Sequence, residues 1–236
     1  MKNLSFKYKL LLLIALPLLI STAMLLKQVL HSYSVSHQSK ELAIYTQLTT
    51  VNSALVHELQ KERGATAGFI GSSGKQFEDV LGQQRLTTEK LIKKWEEFIG
   101  QNAISDTPLE ALMKEVKQQL SNIDSVRRRV SSLDIPLSEA LKFYTGLNAK
   151  LLSAGSITAN LSQDVALTRA SLAYYNFLQA KERAGIERAV LSNTFAGDKF
   201  AAGLYEKYIT LVTEQNTYSR VFNDLASDKH KTLFRE

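Results

Sequence analysis

Leu55 to Gly74 reads LVHELQKERGATAGFIGSSG, and the spacing inside this stretch decides the fold. Leu55, Leu59, Ala67 and Ile70 follow one another at steps of four, eight and three residues, on one face of a helix. Gly71-Ser72-Ser73-Gly74 then ends that helix, because two glycines and two serines favour a turn over continued helix. Arg63 lands inside the apolar stripe. A guanidinium placed there needs a counter-charge.

The same period continues on both sides. Towards the N-terminus it runs unbroken back to the charge-free stretch Leu10–Leu26, so one long helix is expected from there to about Phe69. A second helix follows, with Phe77, Leu81, Leu91, Trp95 and Phe98 as its core side. Gly100 to Asp106 reads as a loop. Thr107-Pro108-Leu109-Glu110 starts the next helix, with Thr capping, Pro at the first helical position and Glu reaching back. That helix is expected to end near Leu133, and Asp134-Ile135-Pro136 opens another to about Leu161. Two more are expected, from about Asp164 to Phe195 and from about Phe200 to Ala226, around a break at Ala196-Gly197-Asp198. No strand alternation or hairpin signal appears. The fold class is all-α.

Composition agrees. Gly (11) and Pro (3) are too few for a strand-and-turn protein, and 44% hydrophobic with 22% charged residues fits an ordered chain. With no cysteine, disulfides, thiolate metal sites and cysteine nucleophiles are excluded. The net charge of +6 is uneven: Lys2, Lys7, Lys9 and Lys27 stand in the first 30 residues without an acid, leaving 25 bases against 23 acids elsewhere. That remainder has no basic face with interleaved aromatics, so no nucleic-acid partner is expected.

Leu10 to Leu26 is a charge-free stretch of 17 residues between Lys9 and Lys27. It reads as a membrane-spanning anchor over residues 10–30, with residues 1–9 cytoplasmic and residues 31–236 outside the inner membrane, in the periplasm or extracellular space. A cleaved signal peptide is the alternative, with Ser21-Thr22-Ala23 as its cleavage site.

The chain also repeats itself. Leu59-Gln60-Lys61-Glu62-Arg63 returns as Leu178-Gln179-Ala180-Lys181-Glu182-Arg183, with a further Glu187-Arg188. A glycine-containing break and a Lys-x-Phe or Lys-Phe step (Lys75 to Phe77, Lys199-Phe200) follow each copy. Two helical bundles in tandem produce such a layout. Arg188 lies on the edge of a second stripe formed by Ala173, Phe177, Ala180, Ala184, Leu191 and Phe195. Two readings of the arginines stand side by side. One is an internal salt bridge from Arg63 to Glu62, Glu182 or Glu187; the other is a small oxyanion shared by Arg63 and Arg188, whose forked donors match two oxygens at once.

Other motifs fail on their own terms. Gly71-Ser72-Ser73-Gly74-Lys75 lacks the first glycine, the Ser or Thr and the preceding strand of a phosphate loop. His57-Glu58 is not followed by the second histidine of a zinc protease, and His31, His37 and His230 are scattered, so no metal site is expected. Arg127-Arg128-Arg129 reads as a solvated charge run. No nucleophile, base and orienting partner assemble, so no catalytic residue, no cofactor and no enzyme activity are expected.

The two motifs LVHELQKERGATAGFIGSSG (Leu55–Gly74) and LQAKERAGIERAVLSNTFAGDKF (Leu178–Phe200) together resemble the nitrate- and nitrite-sensing (NIT) domain of bacterial chemoreceptors, histidine kinases and other regulators. The resemblance covers roughly Ser39 to the C-terminus. It implies two up-and-down four-helix bundles and a nitrate or nitrite ion held between helices by arginines of both motifs. Arg63 and Arg188 are its best matches, with Arg183 and Lys61 as further candidates. It also implies an arginine from a later helix, which would start where this chain ends at Phe234-Arg235-Glu236. No second membrane segment and no signalling module follow, so the chain reads as the extracytoplasmic sensor of a transmembrane receptor, homodimeric and lacking its last helix. The competing reading is a ligand-free, membrane-tethered bundle that docks another protein.

Overall fold

The computed structural model describes residues 6–102, 104, 108–162, 164–196, 199–200 and 202–235. All regular elements among them are helical: α1 (Phe6–Gly71), α2 (Glu78–Gln101), α3 (Pro108–Leu120), α4 (Ile123–Ser131), α5 (Leu137–Leu161), α6 (Val165–Ala196), α7 (Leu204–Leu225) and α8 (Asp228–Arg235). The all-α expectation holds.

The chain forms two compact units, residues 1–43 and 44–236. The first carries the N-terminal part of α1, and here the membrane expectation is corrected. Among the described residues no helix is long and apolar enough to cross a membrane. The charge-free stretch has 17 residues, fewer than the about 20 that a spanning helix takes, and it includes Pro17, Ser21 and Thr22. Residues 1–5, and the side chains of 8–12, 14 and 16, lie outside what is described. The placement in the inner membrane with a periplasmic sensor rested on that anchor and falls with it.

The second unit is built on the rest of α1. Tyr45, Leu48, Leu55, Val56, Leu59 and Phe69 are buried at helical spacing, as the stripe requires. Ala65 and Phe69 of α1 pack with Leu81 of α2, Val130 of α4, Ile135 of the turn that follows and Ala140 of α5. A separate cluster joins Ala173 of α6 to Phe222 of α7 and Ala226. Polar links sit between these layers. The Trp95 indole donates to Asn52 Oδ1 at 2.8 Å, and Asn52 Nδ2 donates to the Leu151 carbonyl at 3.1 Å, joining α2, α1 and α5.

Two departures from the sequence reading have local causes. The helix expected from Pro108 to Leu133 is two helices, because Ser121 and Asn122 turn their side chains onto the Gln118 carbonyl and compete with the backbone ladder. The step lets Ile123, Arg127 and Val130 turn inward. Phe77, expected in the α2 core, instead precedes the helix in a left-handed conformation (φ 69°) and is partly exposed. Its ring lies over Gly68, where a Cβ would come within 2.6 Å of it. Thr107, the expected cap of α3, lies outside the described residues, whereas Pro108 does open the helix.

Candidate functional site

One turn of α1 presents two adjacent buried charges, Glu62 and Arg63, at 0% and 2% exposure. Each requires its own partner, since an unpaired ion in such a place costs several kcal/mol. The two side chains leave α1 in different directions.

Arg63 points to α5 and α6. Its Nη1 donates to Thr145 Oγ1 at 3.0 Å and to the Glu182 carboxylate. Its Nη2 makes a longer contact, 3.4 Å, to Glu182 Oε2. Glu182 is itself 2% exposed, and its Oε2 also accepts from Gln60 Nε2 at 2.6 Å and Asn148 Nδ2 at 3.4 Å. Of the three carboxylates weighed as partners for Arg63, Glu182 is the one it meets.

Glu62 points to α4 and α5. It accepts from Arg127 Nε at 2.8 Å, Arg127 Nη2 at 3.0 Å and the Tyr144 hydroxyl at 2.9 Å. Burial, reinforced by the Glu62 charge, pushes the Tyr144 phenol well above its ordinary range. Burial opposes the Arg127 charge, but hydrogen bonds and attraction from Glu62 outweigh it and hold the guanidinium firmly protonated. Arg127 is therefore not part of a solvated charge run, as its Arg-Arg-Arg context suggested; it is a buried structural cation. The signal was available, because Ile123, Arg127 and Val130 have the same stripe spacing that singled out Arg63.

Beside these pairs, between α1 and α6, lies a cleft of about 910 Å³. Gly64, Ala67, Gly68 and Gly71 of α1 and Gly185 and Ala189 of α6 line it with little side-chain bulk. Phe77, Val80 and Leu137 add an apolar wall. The charged side chains that line it are all basic: Lys61, Arg188 and Lys199. Lys61 is paired at its edge with Glu58, at 3.0 Å. Neighbouring groups report the same excess of positive charge. Burial, then Lys181 and Lys61, lower the His57 pKa, and Lys181 lies 3.2 Å from His57 Nδ1. Burial and then Lys61 lower that of Lys181.

The four sequence candidates thus separate. Lys61 and Arg188 line the cleft. Arg63 stands behind it: a Cβ on Gly185, which lines the cleft, would lie 3.1 Å from Arg63 Nη2. Arg183 faces α7, where its Nε meets Glu214 at 2.8 Å and its guanidinium lies 4.9 Å from the centre of the Tyr218 ring. Lys199 was missed as a site residue. It entered the sequence reading only as part of the repeated step after each glycine break, and its folding back onto the cleft has no signature in linear spacing.

Residues 54–236 match the family described as nitrate and nitrite sensing, NIT. A curated relative, the "Nitrate regulatory protein" of Klebsiella oxytoca, is 27% identical over 200 residues, which are 84% of this chain and 50% of that protein. A solved structure, "Structure of the NasR transcription antiterminator", shares the fold with a TM-score of 0.80 at 24% identity, over 84% of this chain and 55% of that one. The chain therefore spans about half the length of the relatives it matches.

These findings correct the functional expectation. An extracytoplasmic sensor of a transmembrane, chemotaxis-type receptor needs a membrane span, and no described helix provides one. The relatives are named as a regulatory protein and an antiterminator, not as receptors. What the match over residues 54–236 does establish is membership: the chain belongs to the nitrate- and nitrite-sensing family.

Proposed function

We propose that this chain is the anion-sensing part of a larger nitrate- or nitrite-responsive regulator, and that the anion enters the cleft between α1 and α6. The observation that carries this reading is the lining of that cleft, with Lys61, Arg188 and Lys199 as its charged side chains and no carboxylate among them. A planar oxyanion suits Arg188, whose forked donors match two oxygens at once, and the lysines add compact positive charge. The role is binding, not catalysis. The relatives' regulatory names support an output that controls gene expression, exerted through parts of the protein beyond this unit.

The size of the cleft suggests how binding becomes a signal. At about 910 Å³ it holds an ion together with many waters, each taking about 30 Å³ in the liquid. Selective recognition of a small ion requires those waters to leave and α6 to close on α1. Neutralising the basic lining removes the repulsion that opposes closure. The shift is limited by the ion's difference in affinity between the open and closed arrangements. In finer architecture we read two helical bundles sharing long helices, supported by the separate clusters around Phe69 and around Phe222.

A ligand-free docking bundle is the second reading, favoured by one observation: Arg63 already has an internal counter-ion in Glu182. Calorimetric titration of the full chain with nitrate, nitrite, chloride and sulfate separates the two. Saturable nitrate or nitrite uptake, lost in Arg188→Ala and weakened in Lys199→Ala, is the expected result. Folded Arg188→Ala protein that binds nitrate as the parent does, or a folded parent that binds none of the ions, would overturn the proposal.

A further inference from the structure

The anion cleft proposed above borders an ion pair that it does not include. Arg63 is 2% exposed and is not among the cleft-lining residues, yet Gly185, which is one of them, lies against it. Gly185 lines the cleft, and the position a Cβ would take there is 3.1 Å from Arg63 Nη2. Any side chain at 185 would press on the guanidinium. The bare backbone leaves the Nη2 end of Arg63 within reach of whatever enters the cleft.

That end is also the less committed one. Nη1 is engaged by Thr145 at 3.0 Å and by Glu182, while Nη2 has a 3.4 Å contact to Glu182 Oε2. Glu182 does not depend on Arg63 alone. Its Oε2 is held at 2.6 Å by Gln60 and at 3.4 Å by Asn148, two donors on α1 and α5. If Arg63 turns towards the cleft, the carboxylate keeps two hydrogen bonds from neutral amides, which offset part of the cost of losing its counter-charge.

We infer that Glu182 is an internal competitor for the sensed anion, a carboxylate that shares Arg63 with the ion in the cleft and so sets its affinity. This rests on the proposal that the cleft takes an oxyanion. A carboxylate and a trigonal oxyanion each offer a guanidinium two coplanar oxygens, so they compete for one geometry. They also repel each other. Arg63 balances Glu182, and the incoming ion must be balanced by Arg188 and Lys199 across Gly185. Binding therefore loosens the Arg63–Glu182 bridge between α1 and α6, and a sensor tuned this way answers only when the ion is concentrated enough to win.

The test is calorimetric titration of the full 236-residue chain with sodium nitrate, with folding checked by circular dichroism. Glu182→Gln removes the competing charge but keeps a hydrogen-bonding group, and is expected to bind nitrate at least about tenfold more tightly. Gly185→Ala puts a methyl against Nη2 and is expected to bind at least about tenfold more weakly. A Glu182 that merely holds the fold would give loss of affinity or none in Glu182→Gln, and one that acts by its charge alone would give a gain in Glu182→Gln but none in Glu182→Asp, so both variants are titrated. Folded Glu182→Gln protein with unchanged or weaker nitrate binding overturns the inference, even where Arg188→Ala shows that the cleft reading is right. Should Glu182→Gln not fold, Glu182→Asp alone decides. It keeps the charge but shortens the reach to Arg63, so a gain of about threefold is expected and no change overturns the inference. Silence in the parent and in every folded variant removes both the cleft reading and this one.

Discussion

Glu62 and Arg63 are neighbours on α1, yet their side chains enter different buried ion pairs, the first with Arg127 of α4 and the second with Glu182 of α6. One turn of one helix thereby fixes its position against elements on two sides. Neither pair is a source of large net stability, because desolvation consumes most of the attraction. Both are strict about their partners, because a lone buried charge has nowhere to go.

The Glu62–Arg127 pair makes that asymmetry measurable. Arg127→Met leaves Glu62 buried with only the Tyr144 hydroxyl, and is expected to cost about 3–5 kcal/mol in urea denaturation. Replacing both members, Glu62→Met with Arg127→Met, is expected to recover more than half of that loss. A double variant as unstable as the single one would show that the pair itself, and not the uncompensated charge, carries the energy.

Asn52 is the second polar joint, and it carries its own reporter. It accepts from the indole of Trp95, the one tryptophan in the chain, and donates to the Leu151 carbonyl. Asn52→Leu strands both groups in the core, at a cost of about 1–3 kcal/mol for each that finds no substitute. The expected outcome is a lower urea midpoint with a shifted Trp95 emission maximum in the folded state. Unchanged emission and stability would mean that the joint is dispensable.

Helix content was legible from the sequence because it depends on local spacing. The stripe through Leu55 and Leu59, the break at Gly71–Gly74 and the proline start at Pro108 each act within a few residues. The two ion pairs were harder, for a physical reason. Spacing shows that Arg63 sits on an apolar face, but which carboxylate meets it depends on how α6 is placed against α1. The same stripe rule applied to Arg127 would have moved it from surface to core, but the flanking Arg128 and Arg129 masked it. Phe77 escaped because a left-handed φ at a non-glycine residue is set by its ring's packing over Gly68, not by its own preference. The membrane reading failed at the margin of length, where 17 residues fall between a span and an ordinary helix.

Acid is expected to weaken the fold through His57. Burial, then Lys181 and Lys61, hold its pKa below the ordinary 6.5, so the unfolded chain binds the proton more readily. The neutral imidazole's contribution is present above pH 6.5 and is lost as the pH falls through the depressed folded value. Glu58 also titrates below its ordinary 4.5, because bonds from Gln84 and Lys61 overcome its burial, and its loss comes only at more acid pH. Thermal melts in the window just below pH 6.5 are expected to show a falling midpoint in the parent and a flatter one in His57→Gln. Parallel curves would assign the pH dependence elsewhere.

Arg183 supplies the sharpest contrast with Arg188, although both came from one motif. Its guanidinium is drawn to α7 by Glu214, by the side chain of Gln179 and by the face of Tyr218, away from the cleft that Arg188 lines. Glu214 is partly exposed, which limits that pair to about 1 kcal/mol, and the ring contact adds about 0.5–1 kcal/mol. Arg183→Ala is therefore expected to lower stability by about 1–2 kcal/mol while leaving nitrate affinity within about twofold of the parent. Arg188→Ala is expected to do the reverse, since its exposed side chain contributes little to packing. Measuring urea midpoints and nitrate titrations on both variants decides the matter. If Arg183→Ala abolishes binding in a chain that still melts like the parent, the anion sits on the α7 side of α6, and the cleft between α1 and α6 is not its site.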